Sequence, residues 1–337
     1  MKAAVFKEKG LLKVEEVSSP KLDANDVLLQ ITYCAVCGSD LHRYHYGMMS
    51  PGTIMGHEYS GRVVEIGSEV NSFQVGDRAA PSGGKVNPVQ DIFPYPPRYS
   101  AKERGFIPGQ RSGAYAEFMA IDADRLMKIP ETVSNLEACL VEPLTVSLHA
   151  VRLSSIKLGD RVLVIGAGPI GLLVQQCSAL AGAGDMFVSE TSLARRKAAS
   201  LLGADLVIDP LQENVVEEII RETDVGVDLV FECAGANATL NDALCSLRVA
   251  GRVVVVSLAW EQVDCTPVDW VGREVEMKTS YGTLAREWYI AMKLLEKKKI
   301  QIKPVISHIA PIEDIQDVFQ KLLEPETPWV QAVIAFG

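Results

Sequence analysis

Short apolar runs separated by turn residues mark the first 130 residues of the chain. They have the length and spacing of strands, which predicts an irregular, barrel-like β region. These runs are residues 1–6, 27–31, 61–67 and 75–78. Residues 81–112 are rich in proline, glycine, aromatic and charged side chains, which predicts a long excursion rather than a regular element. A helical pattern follows at 134–151 and ends this part of the chain.

From residue 160 onward, apolar runs alternate with helical patterns. The runs are continuous in Val, Ile and Leu, and they are residues 161–165, 187–188, 206–208, 228–231 and 252–256. Continuous apolar strands separated by helices are typical of a parallel sheet that is covered on both faces. The pattern therefore predicts a doubly wound α/β domain, with helices that end near Ala181 and Leu202.

The length of 337 residues exceeds the size at which one hydrophobic core usually keeps growing, so about two domains are expected. After residue 280 the sequence has a helix at 286–297 and a mixed tail that is too short to form a domain alone. We expect this tail to return to the amino-terminal domain. The predicted division is a first domain at 1–152, completed by 284–337, and a second domain at 153–283.

Charge and composition disfavour several classes of protein. The chain has 43 acidic and 33 basic residues and a net charge of -10, so a nucleic-acid partner is not expected. The start has no signal-peptide pattern and no apolar run is long enough to span a membrane, so no membrane association is expected either. The 7 cysteines are odd in number and scattered, which favours a reducing cytoplasm over a disulfide framework.

A glycine-rich turn follows the first strand of the predicted α/β domain. Its sequence is Gly166-Ala167-Gly168-Pro169-Ile170-Gly171, and the acidic residue Glu190 lies 24 positions beyond Gly166, at the end of the next strand. A turn of this kind binds the pyrophosphate of a dinucleotide at a helix N-terminus, while the carboxylate binds ribose hydroxyls. The spacing and placement predict a dinucleotide site.

Glu190 also indicates which dinucleotide is bound. A carboxylate at this position would repel a 2′-phosphate, so NAD is predicted rather than NADP. Arg195 and Arg196 follow inside the next helix, and Arg195 is a further candidate for cofactor contact. The alternative is a glycine-rich turn in an unrelated α/β protein with Glu190 as a surface acid, but it explains neither the spacing nor the strand placement.

Cys37, His57 and Glu142 are candidate metal ligands. Thiolate, imidazole and carboxylate are ordinary ligands of zinc, and three protein ligands with one open position is the arrangement of catalytic zinc sites. Cys37 could instead be a buried core thiol. Cys34 forms a C-x-x-C pair with Cys37, but the surrounding pattern is not thioredoxin-like, so Cys34 is interpreted as core packing.

Together these motifs resemble those of the zinc-dependent medium-chain alcohol and polyol dehydrogenases, especially the sorbitol, butanediol and threonine dehydrogenases. The resemblance covers essentially the whole chain and rests on residues 37–42 (CGSDLH), 56–58 (GHE), 61–67 (GRVVEIG), 76–78 (GDR), 142–144 (EPL) and the glycine turn. It implies an α/β protein with a GroES-like β-barrel catalytic domain and a Rossmann coenzyme domain. It also implies NAD-dependent, reversible oxidation of a secondary alcohol to a ketone.

The resemblance also implies roles for the residues of the candidate metal site. It makes Cys37, His57 and Glu142 the metal-site residues, with Glu58 a fourth ligand in some family members. A second carboxylate would make a zinc site anionic and a weaker Lewis acid. We therefore hypothesise that Glu58 and Glu142 alternate with water during turnover.

Three further residues take roles around the metal by the same resemblance. Ser39 lies beside the substrate oxygen, His42 ends a proton relay, and Asp40 orients His57 from behind. A path for the alcohol proton agrees with the need of a closed site to pass that proton to water. Ser39 and Asp40 could instead cap a short helix.

The sequence departs from the commoner family pattern after residues 76–78. Many relatives bind a structural zinc there through four closely spaced cysteines, whereas residues 81–112 contain no cysteine. One catalytic zinc per chain, and no structural zinc, is therefore predicted. Proline and aromatic residues are expected to order this excursion instead, namely Phe93, Pro94, Tyr95, Pro96, Pro97 and Tyr99.

Glutamate at position 142 resembles the branch of the family that oxidises polyols and vicinal diols, so a polyol, vicinal diol or cyclitol is the expected substrate. Residues 43–46 could contact its hydroxyl groups or form a surface turn. An amino alcohol, such as threonine or an aminocyclitol, is the alternative substrate. A catalytically silent nucleotide-binding protein is the alternative of another class. A homodimer or homotetramer is expected, with residues 274–280 as an exposed edge strand.

Overall fold

The computed structural model describes residues 1–84, 113–259, 264, 266–324 and 327–337. In the first part of the chain its strands and α-helices are, in order, β1 (Lys2–Glu8), β2 (Leu11–Glu16), β3 (Asp26–Ala35), α1 (Gly38–Tyr46), β4 (Glu58–Ile66), β5 (Arg78–Pro81), β6 (Phe118–Asp122), β7 (Leu126–Lys128), α2 (Asn135–Ala138) and α3 (Val141–Leu153).

The middle of the chain alternates strands with helices, as the sequence predicts. The elements are β8 (Val162–Ile165), α4 (Pro169–Leu180), β9 (Met186–Ser189), α5 (Leu193–Leu201), β10 (Leu206–Ile208), α6 (Val215–Thr223), β11 (Val227–Glu232), α7 (Asn237–Cys245), β12 (Leu247–Val255), α8 (Pro267–Val271) and β13 (Glu276–Thr279). The last part contains α9 (Ala285–Glu296), β14 (Ile306–Pro311), α10 (Ile315–Leu323) and β15 (Gln331–Ala335).

A seven-stranded sheet organises the amino-terminal region. Six of its strands are neighbours in the order β14-β15-β3-β4-β5-β7, and the seventh, β6, pairs with β3. Because β15 pairs antiparallel with β3, the carboxyl-terminal tail returns to this sheet, as expected. The apolar core beneath the sheet contains the buried rings of Phe6, Tyr59, Tyr115 and Phe319. This sheet is the β region that the sequence predicts for the first part of the chain.

The second sheet is parallel and has the strand order β10-β9-β8-β11-β12-β13. The order reverses direction between β8 and β11, and dinucleotides bind at this switch point in doubly wound sheets. One face packs on α3, α4 and α9, while the other face forms a separate cluster with α6 and α7. The predicted Rossmann fold is confirmed. The predicted edge strand is also found, because β13 pairs only with β12 in this sheet, among the residues the structure describes.

The prediction of a single helix at 134–151 is wrong in one respect, because the structure has two helices there. α2 ends at Ala138, and α3 begins at Val141. Pro143 is the reason: it has no N–H to donate to the carbonyl of Cys139, and its ring would collide with that carbonyl in a continuous helix. Ser134 starts α2 through a capping box with Glu137.

The strand predicted at 75–78 begins only at Arg78. Residues 74–77 form a turn instead, in which the Gln74 amide donates to Asp77 Oδ2 at 3.0 Å. Gly76 has a φ of +98° there, a conformation that side chains other than glycine rarely adopt. The excursion predicted after this strand lies outside the described residues from 85 to 112, as do its aromatic and proline residues. Within the described part of the chain, no helix is both long and apolar enough to cross a membrane.

Candidate active site

Cys37 stands at the N-terminus of helix α1 and caps it. Its Sγ accepts hydrogen bonds from the Ser39 amide at 3.4 Å and from Ser39 Oγ at 3.3 Å. The cap is therefore the thiol, and not Ser39 or Asp40 as the alternative interpretation proposed. Burial raises the pKa of Cys37, and the charge of nearby His57 opposes that shift. A helix N-terminus and two donors nevertheless favour the thiolate that a metal requires.

Three donor groups converge beside this helix. The ligand atoms of Cys37, His57 and Glu58 all lie within 4.8 Å of one another. Strand pairing explains this, because Glu58 begins β4 directly opposite Ala35 near the end of β3. Cys37 follows β3 by two residues, and His57 precedes β4 by one. All three were candidate metal-site residues in the sequence, Glu58 as the fourth ligand of some family members, and Glu142 is not part of this group of three.

Glu142 lies close enough to act on this cluster electrostatically. It sits in the first turn of α3 and is partly buried. Burial, and then the charge of Glu142, raise the pKa of Glu58 to about 8. Burial also raises the pKa of Glu142. Two carboxyl groups that repel each other in a buried place are stabilised by a shared cation, which agrees with a metal site between them.

Asp40 lies behind His57, as the resemblance implied. Its side chain is fully buried, and Oδ1 is 3.5 Å from His57 Nδ1. Tyr115 donates its hydroxyl proton to Asp40 Oδ2 at 2.9 Å, and Arg43 Nη1 is 3.4 Å from Oδ1. Burial raises the pKa of Asp40, but the charge of His57, together with Arg43 and Tyr115, outweighs burial and lowers it. An anionic Asp40 beside Nδ1 is placed where it could orient the His57 ring and leave Nε2 available to a metal.

Ser39 and His42 lie three residues apart on α1, a spacing that places side chains on one face of a helix. The hydroxyl of Ser39 contacts Cys37, so it lies beside the cluster of donor groups. His42 is half-buried, and burial, followed by the charge of His45, lowers its pKa. A neutral imidazole can accept a proton and release it to water.

Sequence reasoning missed two residues of this site. Gln331 Nε2 donates to Glu58 Oε2 at 3.1 Å from the carboxyl-terminal strand, and Tyr115 supports Asp40. Neither residue belongs to a recognisable motif. Tyr115 lies 75 positions from Asp40, and Gln331 lies 273 positions from Glu58. Only contacts between distant segments of the folded chain reveal them.

The glycine turn has the shape that a pyrophosphate requires. Gly166 has a φ of +91°, and a Cβ there would lie 2.9 Å from the Ala234 Cβ. A Cβ at Gly171 would lie 1.8 Å from the carbonyl oxygen of Gly166, so helix α4 and the turn can approach only because this residue is glycine. Gly168 caps α4 and Pro169 is its first residue, while Ile170 is partly buried and its carbonyl accepts from Ser147 Oγ at 3.2 Å.

Glu190 follows β9 and is held against the turn. Its Oε2 accepts from the Ala167 amide at 2.8 Å, and its Oε1 accepts from the Ser192 amide at 2.8 Å and from Thr191 Oγ1 at 3.1 Å. Each carboxylate oxygen has two acceptor positions, so Oε2 keeps one for a further donor. Arg195 directs its Nε to the carbonyl of Trp329 at 3.3 Å.

The sequence matches two family models. The alcohol dehydrogenase GroES-like domain matches residues 23–131, and the zinc-binding dehydrogenase domain matches residues 169–297. The (R,R)-butanediol dehydrogenase of Bacillus subtilis (strain 168) is 35% identical over 333 residues, which cover 91% of this chain and 94% of that protein. The sorbitol dehydrogenase of Homo sapiens is 31% identical over 322 residues, covering 92% and 89% of the two chains.

Solved structures agree with these matches. The crystal structure of 2R,3R-butanediol dehydrogenase from Bacillus subtilis has a TM-score of 0.87 and 30% identity, and the similarity covers 100% of this chain and 99% of that one. A protein described as a zinc-binding dehydrogenase from Sinorhizobium meliloti 1021, solved with NADP, also has a TM-score of 0.87, with 28% identity and 99% coverage of both chains. The chain therefore belongs to the zinc-dependent medium-chain alcohol and polyol dehydrogenase family and is an oxidoreductase.

Proposed function

We propose that the protein oxidises a secondary alcohol reversibly to a ketone, with one catalytic zinc and NAD as hydride acceptor. The observation that carries this proposal is the convergence of Cys37, His57 and Glu58 within 4.8 Å. Sulfur, nitrogen and oxygen donors in this number fit a catalytic zinc with an open position. When bound, zinc and nicotinamide supply the Lewis acidity that lowers the pKa of the alcohol and the acceptor for its hydride.

The side chains of the protein bind the metal and move the proton. Asp40 keeps the His57 ring in one orientation, and Cys37 is fixed by the start of α1. Ser39 takes the proton of the substrate hydroxyl and His42 passes it to solvent, since one is at the cluster and the other is half-exposed. Glu142 is the second carboxylate of the site, and Glu58 and Glu142 would alternate with water as ligands during turnover rather than both binding throughout. A substrate-bound structure with both carboxylates on the metal would contradict this alternation.

We further propose that NAD is preferred to NADP. The carboxylate of Glu190 accepts three hydrogen bonds, which hold its charge beside the glycine turn, where the ribose of a dinucleotide would bind. A 2′-phosphate would meet this charge at short range. Arg195 follows on α5 as a second contact on the cofactor side. Steady-state rates with both dinucleotides test the preference, and equal kcat/KM values would contradict it.

The substrate we propose is a polyol, a vicinal diol or a cyclitol. Support comes from the two relatives above, which are named for the oxidation of butanediol and sorbitol. An amino alcohol is the second candidate.

NADH absorbance should rise with at least one member of a panel of diols, polyols, cyclitols, amino alcohols and simple alcohols. Incubation with a chelator should abolish that rise, and added zinc should restore it. Activity that resists the chelator would contradict the zinc mechanism. If no alcohol of the panel reduces NAD, the alternative of a catalytically silent nucleotide-binding protein is favoured.

Metal analysis tests the predicted stoichiometry. One zinc per chain is expected, because residues 81–112 contain no cysteine to bind a second. Two tightly bound zincs per chain would contradict this.

We also propose a homodimer or homotetramer formed through the parallel sheet. Strand β13 is the edge of that sheet, and Met277 on it is 39% exposed. Val268 and Val271 of α8, which precedes β13 in the chain, are exposed as well. An exposed strand edge with apolar neighbours is suited to pairing with a second copy of itself.

A further inference from the structure

One polar side chain beside the three donor groups, Cys37, His57 and Glu58, comes from the carboxyl-terminal strand. Gln331 is the first residue of β15, and it is buried. Its Nε2 donates to the carbonyl oxygen of Val36 and to Glu58 Oε2, each at 3.1 Å. Val36 precedes the candidate ligand Cys37, and Glu58 is itself a candidate ligand. The amide therefore connects the two segments that carry the donor groups.

The two acceptors fix the orientation of this amide. A backbone carbonyl and a carboxylate both need a donor, so the NH2 group of Gln331, and not its oxygen, faces them. The backbone around the amide is held too: the Val36 amide donates to the Ala332 carbonyl at 3.0 Å. Ser307 Oγ donates to the Gln331 carbonyl at 3.2 Å. One hydrogen of the side-chain amide is thus fixed on Val36, and the other is directed at Glu58.

We infer that Gln331 is a positioning residue of the metal centre, which holds one oxygen of Glu58 so that the other is presented to the metal. The inference rests on the proposed function, because it requires that Cys37, His57 and Glu58 bind a metal. A neutral donor suits this task, since it orients the carboxylate and leaves its charge for the cation. A lysine or arginine here would pair with Glu58 and compete with the metal for that charge.

Replacement of Gln331 with methionine tests the inference. Gln331→Met keeps the unbranched shape and removes both donors. Zinc affinity, measured by competition with a chromogenic chelator, should fall about 10- to 100-fold, the usual effect of removing a group that orients a ligand. In the cobalt-substituted protein, the visible ligand-field bands should shift in position and intensity.

Gln176 offers a matched control. It is also a buried glutamine, and it makes two hydrogen bonds to Gln301, at 3.2 Å through Nε2 and at 2.7 Å through Oε1. It lies on α4, and the hydrogen bonds that the structure describes for its side chain go to Leu172 and Gln301 rather than to a candidate ligand. Gln176→Met should lower the melting temperature and leave both zinc affinity and the cobalt spectrum unchanged. Gln331→Asn, which is too short to span both acceptors, serves if Gln331→Met does not fold, and should weaken zinc binding in the same direction.

A double-mutant cycle shows whether Gln331 acts through Glu58. In the Glu58→Gln background, Gln331→Met should change zinc affinity by no more than about twofold, because the carboxylate it positions is gone. An equal loss in both backgrounds overturns the inference. So do wild-type affinity and an unchanged cobalt spectrum in the Gln331 variants, when the wild-type protein binds zinc and reduces NAD. A wild-type protein that binds no zinc overturns the proposed function and this inference together.

Discussion

Alanine at Gly168 and at Gly171 should separate two roles of the glycine turn, because the two positions differ in free space. A Cβ at Gly171 would lie 1.8 Å from the carbonyl oxygen of Gly166, whereas a Cβ at Gly168 would meet no atom within 4 Å. Gly168 has a φ of -66°, which alanine adopts without strain. Gly171→Ala therefore disturbs the fold, and Gly168→Ala intrudes only on the space proposed for the pyrophosphate.

The sizes of the two effects follow from these distances. To reach van der Waals contact, the Cβ at 171 and the Gly166 oxygen must separate by more than about 1 Å, and overpacking of this kind costs about 1–3 kcal/mol. At Gly168, alanine is a poorer helix cap but reduces the freedom of the unfolded chain. These effects oppose each other, and the free energy of unfolding should change by less than about 0.5 kcal/mol.

Urea unfolding and fluorescence titration with NADH measure the two effects separately. Gly168→Ala should unfold like the wild type and bind NADH at least about tenfold more weakly, which corresponds to about 1.4 kcal/mol. Gly171→Ala should unfold at a clearly lower urea concentration. Wild-type NADH affinity in Gly168→Ala would show that the cofactor does not pass this residue. Wild-type stability in Gly171→Ala would refute the steric argument.

Three further changes test other contacts. Asp40→Asn keeps the side-chain shape but removes the charge that faces His57, so zinc affinity should fall about 10- to 100-fold in chelator competition, and an unchanged affinity would remove Asp40 from the site. Burial raises the pKa of Glu287, but hydrogen bonds from His149 and Leu284 and the charges of His149 and Arg152 lower it overall. Because the pKa of Glu287 is lower in the folded protein than its unfolded value of about 4.3, its charged carboxylate stabilises the fold above that pH, and this stabilisation is lost as the pH falls. The free energy of unfolding of Glu287→Gln should therefore depend less on pH between about 6 and 3 than that of the wild type. Met277→Arg on β13 should shift the mass in sedimentation equilibrium toward the monomer, and an unchanged mass would locate the interface elsewhere.

Local sequence patterns were sufficient for the parts of the protein that depend on neighbours in the chain. The glycine turn needs a strand before it and a helix after it, and both are visible in residues 161–181. Alternating apolar strands and helices likewise predict a parallel sheet covered on both faces, and the structure has that sheet. Cys37 and His57 stand within short motifs, so the sequence alone identifies them as candidate ligands.

Contacts between distant segments could not be predicted, since they depend on how the sheets close. Glu58 shares a motif with His57, but its approach to Cys37 depends on β4 starting opposite Ala35, and this register is not visible in either strand alone. The buried pair of His149 and Glu287, with Nδ1 and Oε2 2.9 Å apart, joins helices α3 and α9 across 138 positions. The interruption between α2 and α3 was predictable from Pro143, and apolar periodicity alone concealed it.

The carboxyl-terminal segment contacts both halves of the proposed chemistry within three residues. The carbonyl of Trp329 accepts from Arg195 Nε on the cofactor side, and the amide of Gln331 donates to Glu58 on the metal side. The Trp329 ring is itself fixed, because His308 stacks on it with ring centroids 3.8 Å apart and planes 9° apart. Extended chain advances about 3.4 Å per residue, so these two contacts lie about 7 Å apart along the backbone. Residues 329–331 therefore connect helix α5, beside the proposed cofactor site, with the candidate metal ligand Glu58 through two hydrogen bonds.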